Sequence, residues 1–231
     1  MGLQNLNLSK GYAFFLKSNF HTKFHQHYGI ELIFCPNGFF EIETEKRYYR
    51  LKAVIIPSNL LHRFRCFKTC KILYVSPLSY LERYIAEKYD LTFSLGVVED
   101  PPEIHCFFTE DSLMLFTKNG SDVILDERID LCRNEIHNNL TTSSLLIEKL
   151  GEISCLSESR LAHLFKKEIG ISIRQYILWN KIRRAVAYST KESLTRSAHL
   201  AGFSDSAHFS RVFAKMFGST PSFALKHTGE K

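Results

Sequence analysis

LLIEKLGEISCLSESRLAHLFKKEIGIS, from Leu145 to Ser172, and LTRSAHLAGFSDSAHFSRVFAKMFGSTP, from Leu194 to Pro221, decide how the C-terminal half folds. Both follow one plan. A short helix leads to a tight turn, then to a serine placed to cap (Ser157, Ser204), a longer amphipathic helix, and a glycine that ends it (Gly170, Gly218). This is the arrangement of a helix-turn-helix, here written twice, over about 145–168 and about 194–217.

The longer helix of each unit separates its residues cleanly. In the first, Leu161, Leu164, Phe165 and Glu168 share one side, and Ser159, Ala162, His163 and Lys166 lie opposite. In the second, Phe209, Val212, Phe213 and Met216 face inward, which leaves Ser206, Ala207, His208, Arg211 and Lys215 outward. Small, hydrogen-bonding and cationic side chains suit a groove-reading face: short ones let the helix approach base edges, Arg bonds guanine bidentately, and Lys neutralises phosphate. Charge agrees. From Thr141 onward there are 14 Lys and Arg against 7 Asp and Glu, whereas residues 1–140 hold 16 against 17. The excess of positive charge is confined to the part that carries the motif, and it suits a polyanion such as double-stranded DNA. A helical adaptor with ordinary solvated charges would show the charge without the ordered double pattern.

These positions carry a family resemblance. Ala198, Gly202-Phe203-Ser204, Phe209, Arg211, Phe213, Gly218 and Thr220-Pro221 resemble the signature of the AraC/XylS family of bacterial transcription regulators. Ser157, Leu161, Leu164-Phe165-Lys166, Gly170, Ser172 and Tyr176-Ile177 resemble its upstream unit. The likeness spans roughly Asp126 to His227. It implies a linker helix over about 172–190, sequence-specific binding to double-stranded DNA, activation more than repression, contact with RNA polymerase, and a homodimer. Two positions depart: Lys181 stands where the family often has Arg, and Ala214 where Lys is usual. Trp179, within the linker, reads as a packing residue.

The N-terminal half has a different texture. Tyr28 to Cys35, Phe39 to Thr44, Tyr48 to Leu51, Val54 to Pro57, Phe64 to Phe67 and Ile72 to Val75 are short aromatic and β-branched runs separated by turn residues, which predicts a small antiparallel β-barrel. On a strand His25, His27 and Glu31 share a face, and His62 would arrive from another strand. The spacing resembles the metal-binding motif of cupins, and the AraC/XylS family commonly carries a cupin-like domain in this place. Asn59 and Asn19 stand where that motif has Gly, and Cys66 where it has Asn. We read the four residues as an effector pocket lined by hydrogen-bonded histidines, with no cofactor assigned; a divalent metal is the alternative. Phe14, Phe15, Phe20, Phe24, Phe34, Phe39 and Phe40 offer an apolar lining for a small-molecule effector or a plain core.

The fold class expected is therefore α+β: a cupin-like sensing barrel over 1–76, a helical connection and dimerisation region over 77–125, and an all-α DNA-binding domain with two helix-turn-helix units over 126–231. Leu78, Leu81, Ile85 and Tyr89, and the stretch Asp126 to Leu140, supply the helical stripes for a dimer. The six cysteines are irregularly spaced with no CxxC pair, and they read as reduced, mostly buried thiols. A start without a basic-then-apolar leader, and no run of about 18 apolar residues, place the chain in the cytoplasm and off the membrane. No Ser/His/Asp triad signature or phosphate-cradling glycine loop appears, so no catalytic residue is assigned. A metal-dependent cupin enzyme using His25, His27, Glu31 and His62 is the rival reading, and it leaves the C-terminal pattern without a role.

Overall fold

The computed structural model describes residues 3–7, 11–91, 96–109, 111–112, 125–140 and 143–225. The chain forms two compact units: Met1–Asp122 together with Ser210–Lys231, and Val123–Phe209. The division falls inside a helix, so the last turns of the C-terminal segment pack with the N-terminal strands.

Among the described residues of the first unit, ten strands form two antiparallel sheets. They are β1 (Leu3–Asn7), β2 (Tyr12–Lys17), β3 (Phe20–His21), β4 (Ile30–Phe34), β5 (Phe40–Thr44), β6 (Tyr48–Leu51), β7 (Ala53–Ile56), β8 (His62–Cys66), β9 (Cys70–Val75) and β10 (Val98–Glu99). The larger sheet has the order β1-β2-β9-β4-β7-β10 and the smaller β3-β8-β5-β6. Strict alternation in β5 and β8 turns Phe40, Ile42, Thr44, His62, Phe64 and Cys66 inward and leaves Arg63 and Arg65 in solvent.

The larger sheet is covered on both faces, which explains its runs of apolar residues without alternation. On one face Tyr12, Ile30, Leu32, Ala53, Ile55, Leu73 and Val75 pack under Leu81 and Ile85 of α1 (Tyr80–Lys88) and under a 3-10 turn, Ile104–Phe108. The region expected as a connection is thus part of the core, and the apolar stripe of α1 is used within the chain. Leu78 lies outside the helix, at φ +64°. Strands β2 and β10 carried no alternation to reveal them.

The seven phenylalanines disperse. Phe15 and Phe40 are buried between the sheets, Phe14 and Phe34 pack against Phe108, and Phe24 and Phe39 are exposed, so they line no common cavity. Four of the six free thiols are buried, and Cys106 and Cys155 are exposed.

The second unit is helical: α2 (Glu127–Asn138), α3 (Ser143–Ser154), α4 (Glu158–Ile169), α5 (Ile173–Tyr188) and α6 (Leu194–Leu200), followed by the start of α7 (Ser206–Phe217); α8 (Pro221–Ala224) is in the first unit. Ile129, Cys132, Ile136, Leu146, Leu150, Leu161, Phe165, Ile169, Tyr176, Trp179 and Ile182 build its core. Among the described residues no helix is long and apolar enough to cross a membrane.

Candidate nucleic-acid interface and histidine site

Helix α4 begins after Ser157 in extended backbone and stops at Gly170, whose φ of +81° is the left-handed conformation that glycine adopts without strain. Its buried side is Leu161, Phe165 and Ile169, and Ser159, Ala162, His163 and Lys166 are all exposed. Linker helix α5 starts with a capping box: Gln175 N–H donates to Ser172 Oγ at 3.3 Å, and Ser172 N–H to Gln175 Oε1 at 2.8 Å. Trp179 is buried in it.

Helix α7 corrects one expectation. The cap is Asp205, not Ser204: His208 N–H donates to Asp205 Oδ1 at 2.6 Å, and the helix begins at Ser206. A carboxylate satisfies the positive helix start better than a hydroxyl does. Ser204 Oγ instead donates to Asp205 Oδ2 at 3.0 Å. Phe209, Phe213 and Met216 are buried, Ala207, Arg211 and Lys215 are exposed, and Ser206 and His208 are half-buried. His208 sits with its ring edge-on to Phe203, at 5.4 Å. Nothing in the structure gives Ala214 a role.

The second site lies between the two sheets. Adjacent segments carry His25 and His62, which exchange backbone hydrogen bonds of 2.8 and 2.9 Å; Glu31 comes from β4 and His27 from the loop before it. All four are at most 3% exposed, and one donor atom from each lies within 4.8 Å of the others. Both Asn-for-Gly positions have left-handed backbone, Asn19 at φ +48° and Asn59 at φ +62°, a conformation that Asn tolerates, so the loops keep the shape glycine would give.

His25 Nδ1 donates to Lys23 O at 2.9 Å, His27 Nδ1 to Gly29 O at 2.8 Å and His62 Nδ1 to Leu60 O at 2.9 Å, because a carbonyl can only accept. In a neutral ring the Nε2 atom then carries a lone pair. His27 Nε2 and His62 Nε2 both point at Glu31 Oε2, at 3.0 and 3.1 Å, and His25 Nε2 has no hydrogen-bond partner. Burial opposes ionisation of Glu31, but His27 and His62 outweigh it and hold the carboxyl well below the usual carboxylate range. With each Nδ1 already donating, a carboxylate is held by these Nε2 atoms only with positive charge in the site, on a ring or on a bound cation. His25 cannot supply it: burial, then the neighbouring His62 and His27, lower its pKa to about 3. The donor set, three imidazole nitrogens and one carboxylate oxygen with each ring fixed by a backbone carbonyl, fits a divalent first-row metal.

Sequence reading missed one member. Tyr74 pairs with Glu31 across β9 and β4; burial, then the Glu31 charge, keep it a neutral phenol. Its ring stands edge-on to His27, at 5.2 Å. Only the strand register brings the two together.

Comparison with known proteins places the helical part. Residues 150–227 match a family model described as a helix-turn-helix domain. The arabinose operon regulatory protein of Escherichia coli is 33% identical over 100 residues, 42% of this chain and 34% of that one. The helical part is thus similar to known helix-turn-helix regulators, in line with the AraC/XylS resemblance of its sequence. That matched stretch spans about a third of the arabinose regulator. A longer match, 26% identical over 216 residues, covers 85% of this chain and 86% of YobQ of Bacillus subtilis, an uncharacterised HTH-type transcriptional regulator. Apo ToxT from Vibrio cholerae shares the fold with a TM-score of 0.60 at 12% identity, covering 96% of this chain and 100% of that one. ToxT crystallised with an unsaturated fatty acid gives 0.57 at 13% identity, over 99% and 100%. At the AraC/XylS position that often holds Arg, Lys181 is still cationic, and it donates to Gly202 O at 2.7 Å. The charge there ties α5 to the turn between α6 and α7.

Proposed function

We propose that the protein is a transcription regulator that binds double-stranded DNA through two helix-turn-helix units, α3–α4 and α6–α7, joined by α5. The observation that carries this reading is the matched pair of faces: Ser159, Ala162, His163 and Lys166 on α4, and Ala207, Arg211 and Lys215 on α7, are exposed opposite sides that bury Leu161, Phe165 and Ile169, and Phe209, Phe213 and Met216. Two reading helices from one chain enter successive major-groove segments about one helical turn apart. His208 and Ser206 contribute at the start of α7. Activation, contact with RNA polymerase and a homodimer follow from the AraC/XylS resemblance. The test is a fluorescence-anisotropy titration of the full chain on operator fragments from its own genome against a scrambled duplex. Binding that prefers one fragment and weakens linearly in log salt supports the reading; equal, salt-insensitive binding opposes it.

The two sheets read as a small cupin-like barrel that senses a ligand. ToxT, which shares the fold, has been crystallised with an unsaturated fatty acid. In this chain the inter-sheet space holds three histidines and a glutamate, and the unpartnered His25 Nε2 with the His27 and His62 Nε2 atoms converging on Glu31 supports a divalent metal as the ligand. His25, His27, Glu31 and His62 would hold it, and the metal would supply the charge that Glu31 and the three nitrogens require. An enzymatic use of the same cluster gives α4 and α7 no task.

A further inference from the structure

The segment that follows the second reading helix packs on this cluster. Gly218 N–H closes α7 on Ala214 O, while its own carbonyl accepts from Lys23 N–H at 2.7 Å. Lys23 is also the residue whose carbonyl fixes the His25 ring. The packing leaves no space: a Cβ at Gly218 would lie 2.3 Å from Lys23 O and 2.8 Å from His25 Nδ1, at a φ of +63°. Next to it, the Phe217 ring stacks on His27 at 6.3 Å and meets Tyr74 edge-on at 5.3 Å. Further along, Phe223 stacks on Phe20 at 5.2 Å, and Lys17 Nζ donates to Ala224 O.

One corner of the chain thus touches two of the four metal-site residues and the tyrosine behind the third. We infer that the Phe217–Gly218 corner is the lid of the histidine site, so that a divalent metal on His25, His27, Glu31 and His62 clamps the end of the second reading helix. This rests on the metal reading given above. Gly218 has two tasks: it ends α7, and it lets the chain lie against His25. A metal that sets the His25 and His27 rings sets the surface on which the corner sits, and the seated corner closes the path by which the metal leaves. Because α7 is one helix from Ser206 to Phe217, seating its end constrains the residues that face DNA. Linkage makes the effect reciprocal: whatever metal does to DNA affinity, the bound duplex does to metal affinity.

The test uses the full chain and Zn²⁺ alone. Amide hydrogen exchange across 210–225 is followed with and without the metal, and exchange slower by about tenfold or more is expected with Zn²⁺ bound. Gly218→Ala should release Zn²⁺ about tenfold faster, and Phe217→Leu, a milder change that keeps an apolar side chain, several-fold faster. Loaded and metal-free protein should differ in duplex affinity by about fivefold or more. If Zn²⁺ binds the wild type but exchange, release and duplex affinity are all unmoved, the lid is wrong and the metal site stands. If the wild type binds no Zn²⁺, the metal site and the lid fall together. Should Gly218→Ala fail to fold, the exchange measurement on the wild type decides alone.

Discussion

Replacing Gly202 by Ala tests whether the turn between α6 and α7 is fixed as the structure has it. Gly202 has φ +85°, a left-handed conformation that costs an L residue about 1–2 kcal/mol. The added Cβ would stand 2.2 Å from the Leu140 carbonyl oxygen, a backbone atom at the end of α2 that no side-chain rotation can move aside. Relief requires the turn to shift, which loosens the bond from Lys181 Nζ to Gly202 O; a hydrogen bond to a charged group contributes about 1.5–3 kcal/mol, and Lys181 is half-buried, so the lower end applies. Reduced freedom of the unfolded chain returns about 0.4–1 kcal/mol. The net loss is about 1.5–3 kcal/mol, a large part of a stability of about 5–15 kcal/mol. At about 2–4 °C per kcal/mol for a chain of this size, the midpoint should fall by roughly 3–12 °C. Circular-dichroism melts give that number, and hydrogen exchange locates the loss in α6 and the turn. Gly38→Ala is the control, since its Cβ meets the flexible Lys68 side chain and no left-handed backbone is involved. A midpoint for Gly202→Ala within 1 °C of wild type would refute the reasoning.

Arg211→Ala removes an exposed side chain from α7; specific affinity should fall by about 1–3 kcal/mol with an unchanged melt, and an unaltered gel-shift titration would count against a base contact. Lys166→Ala should weaken binding to all duplexes alike and reduce the slope of log affinity against log salt by about one, so an unchanged slope removes Lys166 from the phosphate contacts. Phe209, fully buried, anchors α7: Phe209→Ala should cost about 3–5 kcal/mol in urea unfolding, and a loss below 1 kcal/mol would show that α7 is held elsewhere. Tyr74→Phe keeps the ring and removes the phenol hydroxyl paired across the strands with Glu31, so Zn²⁺ affinity in a chelator competition should drop about tenfold or more; equal affinity would show that Tyr74 does not position Glu31.

The helices were legible because one face of each is apolar at helical spacing: the positions of Leu161 and Phe165, and of Phe209 and Phe213, survive from pattern to structure. Strands β5 and β8 were legible for the matching reason, alternation. Strand β2 was not, since YAFFLK is covered on both sides and has no period to read. The four cluster residues stood out as a spacing, and the structure adds what spacing cannot hold: the tautomers, which depend on three backbone carbonyls, and Tyr74, which depends on register. The Asp205 cap was overlooked because Ser204 has the right chemistry one residue early. Gly218 was visible as a helix stop, but its partner Lys23 lies in the other half of the chain, and no local pattern records such a contact.

In the proposed function α4 and α7 read a duplex together. An unbiased selection of random duplexes on the full chain measures this most directly. The account predicts enrichment of one sequence with two conserved blocks about one helical turn apart, the second losing definition in Arg211→Ala. A final pool indistinguishable from the input would contradict it.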